Sequence, residues 1–285
     1  MPDERQTKND KREAAREQAR LTREKQKRQE RLRRWLIPTG VTVVVLAIVA
    51  IVVLVVTTSA PPPQSADGPK NMVSDGILFT GSGGKMVPTK TGAVQASSSP
   101  TPNDLPNDGV AHIVTYVDFS CPACQAFEAT NADTIQQLVE QGTATLEVHP
   151  IAILDSHFTT NYSTRANNVG ACVANFAPES FYAVMKAMYV GQGQEQTAGL
   201  SNSQMVSLVH SAGLRNGDVD KCINGLTFKS WVTSATTRAT TGPLPNTSTA
   251  NVTGTPTVLV NGQQYGGSLT DGSAFTDFVQ QVLAG

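Results

Sequence analysis

The sequence predicts an α/β fold with a mixed β-sheet and an inserted helical block, preceded by one N-terminal transmembrane helix. Three observations predict it. A charge-free apolar run follows a basic N-terminus, a strand–helix–strand pattern opens the region after Gly109, and strand-like segments return only after a long stretch of helical periodicity.

The charge distribution separates the N-terminus from the rest. The first 34 residues hold 13 Lys/Arg and 7 Asp/Glu, whereas the remainder holds 9 and 16, so the net charge of −1 joins a basic tail to an acidic body. A basic block without a folded context ahead of an acidic body excludes a nucleic-acid-binding reading. Leu36–Val56 carries no charge and is rich in Val, Leu, Ile and Ala. As a helix it would span about 31 Å, enough to cross a bilayer core. Arg31, Arg33 and Arg34 precede it and Thr57–Pro63 follows. The positive-inside rule then makes residues 1–34 a cytoplasmic tail, about 35–57 a single-pass anchor in the cell membrane, and everything beyond extracytoplasmic. The charged region is too long and the apolar run too extended for an ordinary cleavable signal, so the anchor is expected to stay.

Residues 58–108 read as a linker rich in Pro, Ser and Thr. It contains a short hairpin, Ile77-Leu78-Phe79 and Lys85-Met86-Val87 around Gly81-Ser82-Gly83-Gly84, expected to pack on the edge of a compact domain at 109–285. That domain opens with a β-branched and aromatic strand, Ala111–Phe119. A helix over Cys121–Gln141 and a strand over Ala144–Leu154 complete a βαβ unit. Helical periodicity then fills about 159–241, in Ala166–Phe176, Glu179–Val190, Ser201–Ala212 and Asp218–Lys229, with a loop at Gly191–Gly199. Thr257–Val260 restores the strand signal. Asn261-Gly262 is a strong hairpin turn signal and makes Gln263–Gly266 the partner strand, which renders the sheet mixed. Asp271 caps a last helix striped by Phe275, Phe278, Val279 and Val282.

All four cysteines lie beyond the apolar run. Cys121 and Cys124, separated by Pro122 and Ala123, sit where a strand gives way to a helix, and that spacing brings the sulfurs within bonding reach. Unpaired amides and the helix dipole there favour the thiolate, the reactive form. Cys121 is expected to be the exposed nucleophile and Cys124 the buried resolving thiol. Pro122 suits the first helical turn, where its missing N–H has no helical partner. A metal site is not expected, because neither the four histidines nor a second CxxC supplies further ligands at suitable spacing. An inert disulfide is the other alternative, but closing so small a ring stabilises little. Cys172 and Cys222 fall in two separate helical segments. A bond between them would close about fifty residues and contribute roughly 4 kcal/mol at most, so they read as a structural disulfide. A second redox pair is the alternative.

Asp118-Phe119-Ser120-Cys121-Pro122-Ala123-Cys124 and Gly254-Thr255-Pro256-Thr257-Val258-Leu259-Val260-Asn261-Gly262 resemble the two signature segments of DsbA-like thioredoxin-fold disulfide oxidoreductases. The resemblance runs from about Gly109 to Gly285. Asn71–Thr80 ahead of the domain is similar to the membrane-tethered actinobacterial type. It implies a thioredoxin fold in which Pro256 is cis, lies against the cysteine pair and leaves the Thr255 backbone to pair with an extended substrate strand. It implies no cofactor. The expected extracytoplasmic placement, where a tethered thiol pair meets newly exported chains, favours a disulfide oxidase that gives the Cys121–Cys124 disulfide to reduced or unfolded exported proteins and is reoxidised by a membrane quinone-linked partner of the DsbB or VKOR kind. A reductase or isomerase, and a non-catalytic peptide-binding adaptor, are the alternatives. Two positions depart from the pattern: Thr115 stands where an acidic residue precedes the first cysteine by six, and Ala123 replaces the histidine of strong oxidases.

Overall fold

A computed structural model describes residues 12–13, 15–31, 46–51, 65–96, 98–192 and 197–285. The chain forms two units, Met1–Ala60 and Pro61–Gly285. In the first, residues 15–31 are an exposed helix of mixed charge, with Arg20 and Glu24 paired one turn apart at 3.8 Å. The expected membrane span lies outside the described residues except for the helical stretch 46–51. Among the described residues, no helix is long and apolar enough to cross a membrane.

The second unit is built on one six-stranded sheet, ordered β2-β1-β4-β3-β5-β6. Its strands are β1 (Ile77–Ser82), β2 (Lys85–Pro88), β3 (Ala111–Val117), β4 (Ala144–Pro150), β5 (Thr257–Val260) and β6 (Gln263–Gln264). β3 and β4 run parallel, while β1 pairs antiparallel with β4 and β5 antiparallel with β3. Every residue of β3 is buried, as befits a central strand covered on both faces. Ile113 and Val117 face the larger core, whereas Val114 and Tyr116 join Ile151, Leu244, Val252 and Leu259 on the other face.

The helix α1 (Pro122–Glu140) connects β3 to β4. The helical block follows as α2 (Tyr162–Phe176), α3 (Phe181–Val190), α4 (Asn202–Ser211), α5 (Gly217–Gly225) and α6 (Lys229–Thr241), and α7 (Gly272–Ala284) ends the chain. The caps are local and legible. Ser201 and Gln204 form a capping box, and Asp271 accepts from the amides of Ser273 and Ala274 at 3.0 and 3.1 Å.

Several expectations are corrected here. The hairpin does not merely pack on an edge: it supplies β1 and β2 of the sheet itself, so the sheet begins well before Gly109. The preceding segment is tied in as well, since Asp75 accepts from Arg238 at 2.6 and 2.8 Å and from the Trp231 indole at 3.1 Å. The helix expected over Asp218–Lys229 breaks at Leu226, which is left-handed with φ 51°, and a separate helix starts at Lys229. The last hairpin keeps only Gln263–Gln264 of its expected partner strand.

Candidate active site

β3 ends at Val117, and Asp118-Phe119-Ser120 turns the chain into α1 with Cys121 as its N-cap and Pro122 in its first turn. Pro122 fits because the first amides of a helix have no internal partner. Both cysteines are free thiols. Cys121 is 5% exposed and Cys124 is sealed at 0%. Cys124 is the more buried of the two, as expected, but Cys121 is more deeply set than expected. The Thr255–Pro256 peptide is cis, and the Thr255 carbonyl accepts from the Cys121 thiol at 3.2 Å. Two sequence segments more than a hundred residues apart thus meet at one sulfur.

The two thiols are driven in opposite directions. Donation from the Cys124 thiol is the largest influence on Cys121. Burial works against it, and Thr255 and the amides of Cys124 and Ala123 assist, drawing Cys121 from 9 down to about 6. Burial pushes the Cys124 thiol well above its ordinary value, and the neighbouring Cys121 adds to that. One sulfur is therefore a thiolate at neutral pH while its partner holds a proton, the division of labour that disulfide exchange needs.

Asp118 is fully buried at the base of the turn. It accepts from the Ser120 amide and hydroxyl at 2.9 and 2.7 Å, from Asn167 at 3.0 Å, from the amides of Ile153 and Leu154 at 3.0 and 3.2 Å, and from the Ser163 hydroxyl. Burial raises its pKa and these donors oppose the rise. A carboxyl held by that many donors fixes the end of β3, the loop after β4 and α2 relative to one another. Two glutamines add a second brace: Gln192 Nε2 donates to the carbonyls of Phe119 and Cys121 at 2.8 and 3.1 Å, and Gln125 Nε2 to that of Tyr189 at 2.7 Å. Sequence reading missed Asp118 as an organiser, both glutamines and the buried carboxyl of Glu128. Of these only Glu128 had a readable signal, its place one turn after Cys124 on the apolar face of α1.

Cys172 and Cys222 are bonded, with S–S 2.04 Å and Cα–Cα 5.8 Å, and the bond joins α2 to α5 across 50 residues. Among the described residues, no cluster of three or more His, Cys, Asp or Glu is placed to hold a metal.

A family model for thioredoxin matches residues 107–280, which takes in both cysteines and the cis-proline turn. The chain belongs to the thioredoxin family. Among solved structures, the reduced form of DsbA from Mycobacterium tuberculosis is 28% identical, covering 74% of this chain and 93% of that one, with a TM-score of 0.54. The reduced form of the disulfide bond oxidoreductase DsbG from the same organism is 27% identical, covering 74% and 88%, also with a TM-score of 0.54. BdbD from Bacillus subtilis, at 16% identity and TM-score 0.53 over 78% and 100%, shares the fold. No curated protein matches the chain. Within the thioredoxin family this chain is a thiol–disulfide oxidoreductase of the DsbA type.

Proposed function

We propose that the protein is an extracytoplasmic disulfide oxidase, held at the cell membrane by Leu36–Val56, that donates the Cys121–Cys124 disulfide to reduced or unfolded exported proteins. The observation that carries this reading is the thiolate held at Cys121. Lowering a thiol pKa from 9 to about 6 stabilises the reduced form, fully above about pH 9 and progressively less as pH falls through 6. At pH 7 that amounts to about 1.4 kcal/mol, or roughly 30 mV toward a more oxidising couple. A stabilised dithiol makes its disulfide a better oxidant.

The exchange proceeds by attack of a client thiolate on Cys121 Sγ, release of Cys124, and displacement of Cys121 by a second client thiolate. The half-buried backbone at Thr255 would hold the client as an added extended strand. Regeneration removes two electrons from the dithiol, which suits a membrane quinone-linked partner of the DsbB or VKOR kind. The test is to mix the oxidised full-length protein, in detergent, with a reduced and unfolded secretory protein. The client should gain one disulfide for each Cys121–Cys124 disulfide lost. A protein that instead leaves the reduced client untouched and reduces client disulfides would be a reductase.

A further inference from the structure

The helix over residues 15–31 serves no part of the exchange just described. Every residue of it is exposed, including Leu21, its one large apolar side chain. A helix without a packed face is held mainly by side-chain pairs one turn apart, and here Arg20 and Glu24 form one at 3.8 Å. Its charges are ordered nonetheless. Arg16, Arg20, Arg23, Lys27 and Arg31 recur at spacings of 4, 3, 4 and 4, which at about 3.6 residues per turn places all five within about 80° of arc. Glu17 and Glu24 border that stripe on one side and Glu30 on the other. The opposite side carries Gln18, Leu21, Thr22 and Gln29, with Lys25 as its cation.

We propose that this stripe is a docking face for the anionic phosphodiester headgroups of the cytoplasmic leaflet, along which the helix lies flat. The inference rests on the anchor reading of Leu36–Val56, which starts five residues after Arg31 and so keeps the helix within reach of the bilayer. Laid along that surface, the helix covers about 25 Å. Residues 15–31 hold seven Lys/Arg against three Glu, and each cation near an anionic leaflet is attracted to it. Four of the five stripe residues are arginines, whose planar guanidinium takes two phosphate oxygens at once. Other occupants fit less well. A second copy would need an apolar seam at heptad positions, and burial among acyl chains would need an apolar face. Leu21 alone supplies neither. A nucleic acid would meet the same charge, but the anchor holds the stripe at high effective concentration beside lipid.

Lys25 and Lys27 supply a test within the helix itself, because a two-residue step sets them about 160° apart, one off the stripe and one on it. The full-length protein is placed in lipid nanodiscs and acetylated with a water-soluble amine reagent, and the rate at each lysine is read by mass spectrometry. The ratio of the two rates in phosphatidylcholine discs sets the baseline. In phosphatidylglycerol discs Lys27 should slow relative to Lys25 by about fivefold, and about 0.5 M salt should abolish the difference. Arg16→Gln, Arg20→Gln, Arg23→Gln and Arg31→Gln together should return the ratio to its baseline at low salt. An unchanged ratio in phosphatidylglycerol discs, or selective slowing of Lys27 by an added RNA oligonucleotide and not by lipid, would overturn the proposal while the anchor reading stands. A protein that a salt or carbonate wash strips from the discs would overturn both.

Discussion

The molecule carries two cysteine pairs, and the two do opposite things. Cys121 and Cys124, free thiols here, would close a ring of only four residues at a helix N-terminus, where amides and a neighbouring thiol stabilise a thiolate. Cys172 and Cys222 sit inside two helices, buried, bonded and 50 residues apart. In the chain-entropy model, a loop that long removes roughly 4 kcal/mol of freedom from the unfolded chain, while the small ring removes much less. What sorts the reactive pair from the structural one is therefore where each lies on a helix and how much chain it encloses. Cysteine chemistry alone would not separate them.

Substitutions sharpen that contrast, beginning with the largest effect. Cys121→Ala should lower exchange with a reduced client by a factor on the order of a thousand or more while thermal unfolding changes little. Cys124→Ala should accumulate the mixed disulfide at Cys121, visible on a non-reducing gel. Replacing Cys172 and Cys222 together by Ala should do the reverse. Denaturant unfolding should show a loss of about 2–5 kcal/mol, while the protein that remains folded exchanges at the wild-type rate.

Smaller effects probe the polar surroundings of the redox pair. Glu128 has its folded pKa raised from 4.5 to about 7, so folding favours its protonated form, and its ionised form weakens the fold as pH rises above the unfolded value. Unfolding curves should accordingly show Glu128→Gln matching wild type below about pH 4 and gaining about 3 kcal/mol over it above pH 7. Thr255→Val removes the influence of the Thr255 side chain that helps lower the Cys121 thiol. The midpoint of iodoacetamide alkylation, near pH 6 in the reduced wild type, should move up by less than about one pH unit.

Much of this was written in local pattern. The strand, the turn and the helix starting at Cys121 follow from β-branched residues giving way to Pro122 and a helical stripe. The disulfide partners separated themselves by spacing, and Pro256 reached the site through family resemblance. What was not legible depended on partners distant in the chain. The hairpin at 77–88 looks self-contained, and only its register against β4, Phe79 opposite Leu146, makes it part of the sheet. Nothing in the residue type of Leu226 announces a left-handed break. The Cys121 thiol donates to a carbonyl 134 positions away. Asp118 reads as the acid of a strand end until Ser163, Asn167 and the amides of Ile153 and Leu154 gather around it.

The most direct test of the division between the two pairs is a redox titration of the full-length protein in glutathione buffers, quenched with acid, alkylated and mapped by mass spectrometry. Cys121 and Cys124 should pass from disulfide to dithiol within the range where glutathione buffers, while Cys172 and Cys222 stay bonded throughout. Both pairs opening together, or Cys172–Cys222 opening first, would contradict the account.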